Sequence, residues 1–156
     1  MFFDIAFFTI FVQKKLGRIL ALDYGQKRIG IAVTDPLNII PNIIGTIETK
    51  DIWVFLDKYL NNEKIDTVVI GYPVQTNGKA SSSLKYINPF IKKFIEKYPE
   101  IKIVQVDERF TTKMAQRVLI DGGFKKKERQ NKARLDQISA AIILQWYLES
   151  IKINKI

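Results

Sequence analysis

The chain has no histidine and no cysteine. The first absence excludes Ser-His-Asp hydrolysis, histidine-based general acid–base chemistry and histidine-ligated zinc. The second excludes thiol catalysis, thiolate metal sites and disulfides. Low-complexity tracts and internal repeats are also missing, and 156 residues suit a single domain. Any hydrolytic chemistry must therefore come from carboxylates, Lys, Ser, Thr or Tyr. The helper that suits such groups is a hard metal ion with oxygen ligands.

A long hydrophobic run is lacking too. Residues 1–13, MFFDIAFFTIFVQ, are apolar but too short to span a bilayer, and they carry Asp4. They show neither the basic leader nor the small-residue cleavage site of a signal peptide. The expectation is an apolar extension over 1–16 that packs on the domain or frays. A compact domain over 17–150 and a short tail over 151–156 follow, with no stable membrane association.

Positive charge is what the chain has in excess. Its formal net charge is +9, from 25 Lys and Arg against 16 Asp and Glu. Such a balance favours polyanions, chiefly nucleic acid or an anionic membrane surface. Residues 124–134, FKKKERQNKAR, hold six basic residues and one acid. A lysine-rich run can equally be a solvated loop.

Residues 18–35, RILALDYGQKRIGIAVTD, organise the rest. Arg18–Leu22 reads as a central buried strand ending on Asp23. A turn over 24–27 follows, with Gly25 expected to supply a positive φ. The next strand, Arg28–Val33, puts Ile29, Ile31 and Val33 on one face and Arg28, Gly30 and Ala32 on the other. Further strands are expected over 42–48, 66–70 and 102–106. Helical spacing covers 52–60, 84–98 and 135–150, and another helix runs from a Thr111 or Thr112 cap to Gly122-Gly123. Pro89 either kinks its helix or opens it behind an Asn88 cap. This order predicts an α/β domain with a five-stranded mixed sheet flanked by helices.

Three carboxylates come from three different elements. Asp23 ends the first strand, Glu108 ends the last strand, and Asp136 falls in the first turn of the last helix. Each has a plain structural reading: a turn stabiliser, a partner for Arg109 or Lys102, and a favourable charge at a helix N-terminus. If the first, fourth and fifth strands are neighbours, however, the three acids open on one edge. Gathered carboxylates repel unless a cation joins them, and Mg²⁺ is satisfied by a few carboxylates, waters and phosphate oxygens. Arg109 and Thr111 are placed to bind a phosphate near a helix N-terminus. Lys27, Arg28 and the run Lys125, Lys126, Lys127, Arg129, Lys132 and Arg134 can track a nucleic-acid backbone.

The motifs ALDYGQKRIGIAVTD, VVIGYPV with QTNGKAS, VDERFTT and ARLDQISAAIILQWYL closely resemble the YqgF family. Members of that family are named as Holliday junction resolvases or as pre-16S rRNA processing nucleases. The resemblance runs from about Arg18 to Leu148. It implies a ribonuclease H-like fold, with Asp23, Glu108 and Asp136 as catalytic residues binding Mg²⁺ or Mn²⁺. It also implies a cytoplasmic endonuclease acting on the 5′ end of the 16S precursor, with the pre-ribosomal particle as a partner. Cleavage of a four-way DNA junction ranks second, and a non-catalytic nucleic-acid-binding factor third. The loop Gly71–Lys79 departs from the family pattern, with Asn77 for an acid and Lys79 for a hydroxyl residue. That departure points to phosphate contact by Lys79 rather than metal binding.

Overall fold

The computed structural model describes residues 16–74, 77 and 81–154. The expectations for residues 1–15 and for Lys79 fall outside the described residues. Five strands form one sheet: β1 (Arg18–Tyr24), β2 (Arg28–Thr34), β3 (Pro41–Glu48), β4 (Ile65–Tyr72) and β5 (Lys102–Asp107). The helices are α1 (Ile52–Asn62), α2 (Leu84–Lys97), α3 (Glu108–Asp121), α4 (Lys126–Arg129) and α5 (Lys132–Ile153). The strand order is β3-β2-β1-β4-β5. Short connections make β1–β2 and β2–β3 antiparallel, while crossovers through α1 and α2 make β1–β4 and β4–β5 parallel. The α/β expectation holds, including the neighbouring of the first, fourth and fifth strands.

Alternation along the strands divides the interior in two. Leu20, Leu22, Ile29, Ile31, Val33, Val68 and Ile70 face α1 and α2, packing on Ile52, Leu56, Ile87, Phe90, Ile91 and Phe94. Ile19, Ala21, Ala32, Val69 and Val106 face the opposite way and cover Ala140, Ile143, Leu144 and Leu148 of α5. The second set is richer in small side chains, which lets a long helix lie close to the sheet. Among the described residues, no helix is long and apolar enough to cross a membrane.

Several boundaries differ from the sequence reading. Among the described glycines, only Gly45 and Gly123 have positive φ, so Gly25 is not needed for a left-handed turn. A Cβ there would stand 2.5 Å from the Arg28 carbonyl oxygen, so its value is space. Pro89 lies inside one continuous α2 rather than opening it. Helix α3 starts at Glu108 because Asp107, not a threonine, is its N-cap: the Asp107 side chain accepts from the Arg109 amide at 3.0 Å. Asn131 caps α5 in the same way, accepting from the Arg134 amide at 3.2 Å. Helix α5 thus begins at Lys132, and Asp136 lies past its first turn. It also runs on to Ile153, through half of the segment read as a tail.

Gly30 decides how closely α5 can dock. A Cβ at this position would overlap the Asp136 carbonyl oxygen and carbon, so backbone lies directly on backbone. Gly30→Ala should lift the start of α5 and destabilise the fold by about 1–3 kcal/mol, as overpacked sites do. Urea unfolding checks this, and a wild-type midpoint would contradict the close approach.

Candidate active site

Asp23 is the last but one residue of β1 and points to the α5 face, continuing the Ile19 and Ala21 alternation. It pairs across the sheet with Gly30. On its other side β4 runs parallel, with Leu22 paired to Ile70 and Gly71 following. Both flanking positions thus lack a side chain. Gly30 admits the backbone of α5 at Asp136, and Gly71 admits Glu108. A Cβ on Gly71 would stand 3.2 Å from Glu108 Oε1 and 2.8 Å from Ile143 Cδ1. Glu108 reaches this place because β5 ends beside β4, with Tyr72 paired to Asp107, and α3 turns in immediately afterwards.

The carboxyl of Asp23 keeps part of its residue surface open but is closely hemmed in, and its pKa is pushed well above the carboxylate range. Burial is the largest cause, followed by the charges of Glu108 and Asp136. The pKa of Glu108 is raised too, mainly by burial. Asp136 is also raised by burial, against the opposing effects of Arg28 and Lys132. Its Oδ2 accepts from Arg28 Nε at 3.0 Å. Among the described residues, no three acidic side chains converge closely enough to form a ready-made metal site. The donor set nevertheless fits a hard divalent cation. Three carboxylates stand at one sheet edge, a glycine leaves the space beside Glu108, and a guanidinium already neutralises Asp136.

The basic candidates divide. Lys27 is exposed at the β1–β2 turn, while Arg28 donates to Asp136. Arg109 is held by Asp107, its Nη2 lying 2.5 Å from Asp107 Oδ2, so it closes the α3 cap rather than facing outward alone. Thr111 is a correction: it lies inside α3, fully buried, and its Oγ1 donates to the Glu108 carbonyl at 3.1 Å. Because the helix starts at least four residues earlier than a Thr111 or Thr112 cap would place it, Thr111 offers no exposed N-terminal group. Lys125, Lys126, Lys127 and Lys132 are exposed, and Lys132 acts electrostatically on Asp136. Arg129 is half-buried, and its Nε has no hydrogen-bond partner among the described residues. Arg134 lies over the Phe124 ring at 5.1 Å. Sequence reasoning missed the positioning work of Gly30 and Gly71. The alternation of Arg28, Gly30 and Ala32 was the available signal, since a small residue on a buried face invites a close neighbour.

Strand order, mixed pairing and carboxylates at the shared strand ends define a ribonuclease H-like α/β domain. The sequence model of the RuvX family, described as Holliday junction resolvase, matches residues 17–150. The chain belongs to this family, the same one that its motifs resemble. A relative from Flavobacterium psychrophilum is 52% identical over 133 residues, covering 85% of this chain and 97% of its own. Another, from Phocaeicola vulgatus, is 48% identical over 137 residues, covering 88% and 99%. Both are named "Putative pre-16S rRNA nuclease". Among solved structures, T. thermophilus RuvC in complex with Holliday junction substrate matches with a TM-score of 0.51 at 12% identity. That match covers 86% of this chain and 96% of the other, and it supports the fold.

The raised pKa of Asp23 has a definite sign in stability. A carboxyl with a folded pKa above its unfolded value contributes stability at low pH that is lost as pH rises through the folded pKa. In EDTA, the wild-type protein should therefore lose stability as pH rises above the ordinary carboxylate range. Asp23→Asn should flatten that slope and raise Tm at pH 7.5 by roughly 2–4 °C, the shift about 1 kcal/mol gives at this size. Thermal melts across pH for both proteins check this.

Proposed function

We propose that the protein is a divalent-metal-dependent endonuclease that processes the 5′ end of the 16S rRNA precursor in the cytoplasm. One observation carries the reading: Glu108 and Asp136 are admitted on either side of Asp23 at the end of β1, Glu108 against Gly71 and the α5 backbone at Asp136 against Gly30. The names of the relatives supply the substrate. Asp23, Glu108 and Asp136 would hold Mg²⁺ or Mn²⁺. Such a cation lowers the pKa of an attacking water and offsets charge on the phosphate.

The residues have separate tasks. A cation held here would favour the charged form of Asp23, whose pKa burial raises, so its uptake would be linked to deprotonation. Glu108 is fixed by the Asp107 cap of α3, which keeps its carboxylate on the Gly71 side of Asp23. Lys27, Arg28 and the exposed lysines at 125–127 and 132 attract the phosphate backbone. The pre-ribosomal particle presents the structured RNA, and Lys79 contributes to its contact.

A second reading is cleavage of a four-way DNA junction, favoured by the description of the matching family. It requires paired symmetric cuts and so a dimer. Incubating a labelled 16S precursor fragment and a four-way junction side by side, with Mg²⁺, Mn²⁺ or EDTA, separates the two. The account expects metal-dependent cutting of the RNA. Asp23→Asn should reduce it by more than the roughly 10–100-fold that losing an outer-sphere partner costs, while binding is largely retained. Undiminished cutting by that variant contradicts the assignment.

A further inference from the structure

The Arg28 side chain stands between two features. On one side its Nε donates to Asp136 Oδ2 at 3.0 Å. On the other it lines a cleft of about 500 Å³ together with Gln26, Lys27, Glu48 and Lys50. Two bonds fix the walls of this cleft. The Thr49 amide donates to the Lys27 carbonyl at 3.0 Å, and Thr49 Oγ1 donates to the Gly25 carbonyl at 2.7 Å. They clamp the β1–β2 turn to the end of β3, where Arg28 pairs in register with Glu48. Lys27 and Lys50 thus meet Arg28 although 22 residues separate the first two in the chain. Glu48 lies 2.8 Å from Lys50 Nζ, and the cations still outnumber it by three to one.

The ion pair with Asp136 is open to exchange. The Arg28 and Asp136 side chains are 36% and 24% exposed, and pairs that reach solvent are weak. A divalent cation among the three carboxylates would compete with the guanidinium for Asp136. Arg28 would then be left beside two lysines in a cleft of excess positive charge, with a planar fork suited to phosphate.

We propose that Arg28 is shared between two ligands. It neutralises Asp136 until a divalent cation takes that carboxylate, and it then joins Lys27 and Lys50 as a subsite for a nucleic-acid phosphate. This deepens the nuclease reading and rests on it. The exchange couples the ligands, and linkage requires that each strengthen the other by the same factor. Lys50, which carries no signal in the sequence, becomes a binding residue of the substrate strand.

The test measures two affinities: Mn²⁺ by calorimetry, and a fluorescent RNA hairpin with phosphorothioate linkages, which slow cleavage, by anisotropy. In the wild-type protein, Mn²⁺ should tighten hairpin binding about fivefold or more, and the hairpin should tighten Mn²⁺ binding equally. Arg28→Gln should bind Mn²⁺ alone more tightly than wild type and bring the coupling factor close to one. If Arg28→Gln does not fold, the double variant Lys27→Ala, Lys50→Ala carries the test. It should weaken hairpin binding in Mn²⁺ and leave Mn²⁺ affinity without RNA unchanged. Wild-type protein that binds both ligands with no coupling, or an Arg28→Gln protein with weakened Mn²⁺ binding, overturns this inference and leaves the nuclease reading standing. Wild-type protein that takes up neither ligand overturns both.

Discussion

The close contact between the backbone of α5 and Gly30 of β2 is the constraint on which the chemistry of this molecule depends. The sheet alone would present a single carboxylate, Asp23, between two bare positions. Helix α5 fills one side and brings Asp136. Glu108 fills the other, where Gly71 leaves it room. A side chain at either glycine would push an acid away from the edge while leaving most of the hydrophobic core intact. Apolar alternation determines which face each strand buries, and the two glycines set the spacing of charge at one end of that face.

Crowding has an electrostatic consequence. Three carboxylates, partly shielded from water, cannot all remain charged without compensation. The molecule answers in two ways, with raised pKa values at Asp23 and Glu108 that favour their neutral forms and a guanidinium on Asp136. On the proposed reading, one divalent cation would replace both. Protonation, the Arg28 ion pair and metal binding would then be alternatives at the same set of oxygens. That is why the acids need not converge in advance to suit a metal ion chemically.

Much of this was legible in the sequence, for identifiable reasons. Strand and helix periods are strong where one face is buried, so β1, β2, β4 and β5 and the long α5 could be read directly. The acids could be read because topology, once strand order is guessed, puts parallel strand ends together. Helix starts were harder. Asp107 outcompetes Thr111 as a cap through a contact within two residues that spacing alone does not reveal. Its effect was large, turning Thr111 from an exposed phosphate donor into a buried helical residue. Gly25 was read as free to take a positive φ, which it does not have; what it supplies is room for a close carbonyl. Lys50 could not be found from sequence, because its neighbour Lys27 is supplied by long-range pairing of β2 with β3.

The measurement closest to the central claim is anomalous diffraction from crystals of the wild-type protein grown with Mn²⁺. The account predicts an anomalous peak bounded by Asp23, Glu108 and Asp136, with the Arg28–Asp136 contact broken. A peak elsewhere, or none at this edge with that ion pair intact, would contradict it.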